Sequence, residues 1–477
     1  MTTRLALGAR APAAAVLLAL AVLASCGDGA VGSGGTGAPT GYSVGTVNGF
    51  GSVIVDGVSF DDLHASVVVE TAPGADSPAE AHLGERVSVS YAQAGVARQI
   101  RILTALSGPV TTAAANGRFT MLGQTVVVNV AAGSGPTTQF GGGYLLASDI
   151  AAGDEVDVHG ILALQGGTWI LLATRIDKLA AVPSYLRVTG VVAGLGGGST
   201  TFTLGTLTVD ASAATLAPAG STLADGQAVT VLALPAGYVA SGENAPRLAA
   251  AQVRIASLQE STLDDFLSGS ISSLDTGAKT FVLGGQPVAY AGATFSPAGA
   301  TPSNESYVQV QGKVGSDGTL VATTVNVRDA KTEDDSELSG TVVAFDAVAK
   351  HFTLRGVLVE ASTAPLQNCP AGGLADGLYV QVAGTLASNG VIATTIRCGS
   401  EPAGGTIERQ GKSSAVDTVA RTFTLTPETG TALTVQWTDT TFFGNGLTPA
   451  TLSGKTVDVQ GSFVGTVLVA TKVKLDE

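Results

Sequence analysis

Ala393-Thr394-Thr395-Ile396-Arg397-Cys398 is the stretch that decides the fold, because it is one of six versions of the same segment. The others are Ala97-Arg98-Gln99-Ile100-Arg101-Ile102, Ala173-Thr174-Arg175-Ile176, Ala251-Gln252-Val253-Arg254-Ile255, Ala322-Thr323-Thr324-Val325-Asn326-Val327 and Ala470-Thr471-Lys472-Val473-Lys474-Leu475. Each alternates apolar and polar residues, the period-2 pattern of a half-buried strand. A second alternating segment precedes every copy, as in Arg86-Val87-Ser88-Val89, Val156-Asp157-Val158 or Tyr379-Val380-Gln381-Val382. Between the two lies a hairpin signal: Ala94-Gly95, Gly166-Gly167, Asp317-Gly318, Asn389-Gly390 or Val464-Gly465. Glycine supplies the positive φ that tight hairpin turns require. The third copy departs from the pattern and inserts Pro235 to Arg247.

A further landmark opens the units. His351-Phe352-Thr353-Leu354 has siblings in Arg118-Phe119-Thr120-Met121, Thr201-Phe202-Thr203-Leu204, Thr280-Phe281-Val282-Leu283 and Thr422-Phe423-Thr424-Leu425. The first unit matches least well, with Ser52-Val53-Ile54-Val55. Each unit offers about five strands in roughly 60–80 residues, the size of a small closed barrel. The expected fold is all-β: six tandem, separable, OB-like five-stranded barrels. Their expected bounds are 44–104, 106–180, 185–257, 267–329, 337–399 and 404–476. A six-bladed β-propeller is the alternative. Its blades hold four strands and repeat at about 40–50 residues, a poorer fit to this spacing.

Composition narrows the function. The 477 residues include 45% hydrophobic and only 13% charged side chains, which excludes classical disorder. The net charge is −14, and it becomes more negative if Arg4 and Arg10 are lost with a leader. An acidic body lacks the Lys/Arg footprint that nucleic acid requires, so no nucleic-acid partner is expected.

Residues 1–25 read as a secretory signal, with Arg4 and Arg10 ahead of the apolar run Ala13 to Val22. Leu23-Ala24-Ser25-Cys26 resembles the lipobox of bacterial lipoproteins. That resemblance implies cleavage before Cys26 and a lipid anchor on its thiol, with 26–43 as a flexible linker. Gly27, not Asp, follows the cysteine, which by the same resemblance implies the outer membrane. The repeats resemble the bacterial domain-of-unknown-function family 5666, found in tandem in exported lipoproteins. The likeness runs from about Gly45 to Leu475. It implies no known reaction, ligand or cofactor.

The search for chemistry returns little. Gly32-Ser33-Gly34-Gly35-Thr36-Gly37 fits a dinucleotide fingerprint by letter, but without a flanking strand and helix it reads as a tether. Gly411-Lys412-Ser413 lacks the spacing of a P-loop. No nucleophile elbow occurs. Asp157 and His159 alternate with Val156 and Val158, so both leave one strand face and are weak metal-ligand candidates. The simpler reading is a solvated surface. Glu333-Asp334-Asp335-Ser336-Glu337 reads as a self-repelling linker. Cys369 and Cys398 form an even pair once Cys26 is lipidated, and in an exported protein they are expected to bridge.

The expected function is therefore non-enzymatic: a lipid-anchored envelope protein acting as a structural spacer or binding module. Its expected partners are the membrane and an unidentified envelope protein or glycan. Binding is expected on an insertion, either Pro235 to Arg247 or Gly133 to Asp149. The alternative is an envelope hydrolase or metal-binding protein with a site assembled between barrels.

Overall fold

The computed structural model describes residues 41–475, apart from 63, 132–135, 198, 329–334, 400–406, 428–431, 445–446 and 465–466. The expected signal peptide and Cys26 lie outside the described residues, as does Glu333-Asp334 of the acidic run. The rest of that run is not linker. Asp335, Ser336 and Glu337 begin the strand Asp335–Thr341.

The described residues are strands and turns, with two single-turn 3₁₀ helices, Ala147–Asp149 and Pro235–Gly237. No helix among them is long and apolar enough to cross a membrane. The C-terminal hairpin of each unit forms where the alternation and its glycine turn place it. Arg86–Gln93 pairs with Val96–Ile102, Glu155–Gln165 with Thr168–Lys178, and Tyr379–Ala387 with Gly390–Gly399.

One ring of pairings recurs, seen most simply in the last unit. Ile407–Asp417 pairs with Thr422–Thr426, which pairs with Leu433–Phe443. That strand runs parallel to Val467–Leu475, which pairs with Thr456–Val464, which returns to the first strand. The result is a closed five-stranded barrel. The landmark phenylalanine explains why the ring closes. Phe119, Phe202, Phe281, Phe352 and Phe423 are each at most 2% exposed, one at the centre of each of five units. Burying such a side chain contributes about 1.5–3 kcal/mol.

The units are not six discrete barrels, which corrects the sequence-based expectation. The first strand, Gly41–Phe50, runs parallel to Asp265–Asp275 through Ser43 and Phe266. It also runs parallel to Asp335–Thr341 through Gly49 and Glu337. The first, fourth and fifth units thereby share one 20-stranded sheet. Gly49 permits this contact, since a Cβ there would lie 2.3 Å from the Glu337 carbonyl oxygen. Leu106–Ala115 pairs with Leu186–Ala193, fusing the second and third units into a 14-stranded sheet. The second and fourth units close the same ring within their shared sheets, whereas among the described residues the sixth forms a barrel that shares no sheet with another unit, on its own core around Phe423, Val435, Val457 and Leu468. The propeller alternative also fails. First strands pair with fourth strands and third run parallel to fifth, whereas blades are separate four-stranded sheets.

A candidate polar junction and cleft

The turn His82-Leu83-Gly84-Glu85 carries the first unit onto the second. Gly84 has φ +83°, and a Cβ there would meet the Thr174 carbonyl oxygen at 2.4 Å. Glycine therefore lets the turn rest directly on the strand Thr168–Lys178. The turn holds its own shape: the His82 amide donates to Glu85 Oε2 at 2.9 Å, and His82 Nδ1 faces Glu85 Oε1 at 3.3 Å. Arg175 Nη1 donates to the Leu83 carbonyl at 3.2 Å and ties the turn down.

Beneath the turn lies one face of the hairpin Glu155–Gln165 and Thr168–Lys178. Its register sets Asp157 opposite Asp177 and His159 opposite Arg175. Because side chains alternate across a strand, all four groups share that face. Arg175 grips Asp177 with two bonds of 2.8 and 2.7 Å. His159 is 3% exposed, and its Nδ1 lies 3.1 Å from the Leu103 carbonyl. A carbonyl only accepts, so Nδ1 carries the proton of this bond, and Nε2 is the ring's other nitrogen. Asp157 keeps one carboxyl oxygen, Oδ1, buried without a hydrogen-bond partner. The expectation of a solvated surface at Asp157 and His159 is thus overturned, because the first unit covers that face.

The electrostatics follow the burial. Burial pushes the Asp157 carboxyl up, and the nearby Asp177 charge adds to this against the opposing pull of Ser107 and His159. Burial also raises Glu85, but the hydrogen bond from His82 and the charges of His159 and Arg175 outweigh it, leaving Glu85 lowered. Glu85 in turn raises His82.

His82 and Arg175 also face a cleft of about 910 Å³ walled by the first, second, fifth and sixth units. Five of the chain's 24 lysines and arginines line it: Arg175, Arg355, Arg409, Lys472 and Lys474. Only three of its 38 acidic residues do so, Asp62, Glu80 and Asp458. Lys474 bridges Glu80 at 3.1 Å and Asp458 at 3.3 Å, while Lys472 donates to the Asp62 carbonyl at 3.3 Å. Phe50, Val357, Phe442 and Phe443 supply apolar wall.

The two insertions expected to bind separate here. Phe140, Tyr144 and Leu145 of the segment Gly133 to Asp149 line the cleft, whereas Pro235 to Arg247 lies elsewhere. Cys369 and Cys398 are joined by a disulfide, as expected. Sequence reasoning missed Glu85, Arg175 and Asp177. The strand phase of Arg175-Ile176-Asp177 against Asp157 and His159 contained the signal for two of them. Glu85 comes from another unit and carried none.

Four stretches, 107–177, 268–326, 339–397 and 410–474, match the family described as Domain of unknown function (DUF5666). They cover more than half of the chain and fall on the second, fourth, fifth and sixth units. No curated protein matches. Among solved structures, the chain is similar to "drosophila Unr CSD456", at 12% identity over 44% of this chain and 97% of that one, with a TM-score of 0.14. On the four matched repeats, the chain belongs to the DUF5666 family.

Proposed function

We propose that this protein is a non-enzymatic, lipid-anchored binding module of the cell envelope, built from fused OB-like barrels. Its ligand site is the inter-unit cleft, and its ligand is an anionic small molecule with an apolar body. One observation carries this reading: an acidic chain gathers five of its 24 basic side chains around a single cleft that holds three acids. Such a field favours an anion, and the aromatic wall favours a hydrocarbon portion. The volume lies at the upper end of the usual range for small-molecule sites. The recurring pairing ring supports the barrel reading, since OB-like barrels bind through a face and its loops.

Calorimetric titration with dodecanoate and with dodecyltrimethylammonium tests the cleft. Dodecanoate should bind and the cation should not. The double variant Arg355→Ala/Arg409→Ala should weaken dodecanoate by about tenfold or more, since a charge-assisted hydrogen bond is worth about 1.5–3 kcal/mol. Equal binding of both amphiphiles would sink the reading. The anchor has its own test. Cys26→Ala should move the protein from washed membranes to the soluble fraction, because lipidation needs that thiol. Retention on membranes after a high-salt wash would refute the anchor.

A further inference from the structure

We propose that Glu85, His159 and Asp177 form a zinc site that clips the first unit to the second. One oxygen or nitrogen from each lies within 4.8 Å of the others. Tetrahedral ligands at about 2.1 Å from zinc sit about 3.4 Å apart, so binding draws the cluster together by at most about 1.4 Å. That is within the reach of small side-chain rotations.

Each ligand already has the outer partner that metal ligands use. His159 is oriented through Nδ1 by the Leu103 carbonyl, which leaves Nε2 for the metal. Asp177 is held by Arg175, and Glu85 by the His82 amide and ring. Such partners fix ring tautomer and carboxylate direction and strengthen metal binding. The donor set discriminates between metals. One imidazole with two carboxylates suits zinc, whereas calcium and magnesium prefer all-oxygen shells with more ligands.

A separate observation is an unsatisfied carboxyl oxygen beside the cluster. Asp157 stands directly across the hairpin from Asp177. Two carboxylates opposed across a sheet destabilise it, the more so when buried. One oxygen of Asp157 has no hydrogen-bond partner and no access to water. Arg187 also acts on Asp157 and His82 on Glu85, so the charge a dication meets at the cluster is that of the two ligand carboxylates, Glu85 and Asp177. The site lies behind the cleft and does not depend on what the cleft binds. Its consequence is structural, since Glu85 comes from the first unit and the other two ligands from the second.

The test uses the mature-length protein carrying Cys26→Ala, stripped with a chelator and titrated with zinc chloride by calorimetry. The expected result is one zinc per chain, a raised melting temperature, and no displacement by millimolar calcium. His159→Gln and Asp177→Asn should each weaken zinc by about tenfold or more, while His64→Gln should not. Absence of stoichiometric zinc in the Cys26→Ala protein overturns the proposal whatever the further variants do. So does full affinity in a folded His159→Gln protein.

Discussion

Glu70→Ala should destabilise the protein by about 3–5 kcal/mol, the cost of leaving buried cations without their anion. Glu70 lies in the strand Ser66–Ala72 of the first unit and is 8% exposed. Two arginines of the third unit converge on it. Arg187 donates to Oε2 at 3.0 Å, and Arg254 donates to both carboxylate oxygens. The Gly74 amide adds a bond of 3.1 Å to Oε1. Every lone pair is used, and both guanidinium groups are largely buried, with exposures of 12% and 16%. Glu70→Gln keeps the shape and some bonds but loses the charge, so its penalty should be smaller. Urea unfolding followed by tryptophan fluorescence measures both. Trp169 reports the fused second and third units, whereas Trp437 sits in the closed sixth barrel and should respond less. A loss below about 1 kcal/mol would show the triad to be unimportant, as most solvent-exposed pairs are.

The same triad sets an acid limit. Burial raises the Glu70 carboxyl, but the hydrogen bond and charge of Arg254 and the charge of Arg187 win, and it falls from 4.5 to about 2. A carboxylate with a depressed folded pKa stabilises above its unfolded value and loses that contribution as pH falls through the folded one. The Glu70 contribution is therefore complete above about pH 4.5 and lost near pH 2. At 1.36 kcal/mol per unit it amounts to at most about 3 kcal/mol. The difference between wild type and Glu70→Gln should shrink across that window.

The strands were legible because their signal is local. Alternation in Val380-Gln381-Val382 needs no knowledge of the rest of the chain to specify an inward and an outward face, and Val380 and Val382 are indeed buried. The repeated phenylalanine was legible for the same reason, and each copy plugs a core. The fusion of units was not legible. It depends on Gly41–Phe50 meeting strands more than 200 residues away, and the glycines that allow it look like ordinary turn residues in one dimension. The polar junction failed by the same route. Asp157 and His159 were rightly placed on one face, but period 2 distinguishes two faces without saying what covers either. A turn from another unit made a polar outward face into an interior one.

The disulfide shows how far strand phase alone reaches. Cys398 occupies the position at which other units place Ile102, Ile255, Val327 or Leu475, so strand phase turns it inward, and it is 4% exposed. Cys369 packs against the same core from the loop after Leu366–Gln367, a short strand parallel to Gly390–Gly399. Their Cα atoms are 4.7 Å apart, within the range a bridge spans. The bridge closes a loop of 29 residues, for which chain-entropy arithmetic gives about 3–4 kcal/mol. Cys369→Ser should lower stability by that amount. Cys398→Ser should cost more, because it also buries a hydroxyl where siblings bury an aliphatic group. The fifth unit shares its sheet with the first and fourth, so the loss should appear in the transition of that whole block and leave the sixth barrel's transition in place. Urea unfolding with and without reductant measures the effect. Alkylation of the denatured, unreduced protein at both Cys369 and Cys398 would show that no bridge forms.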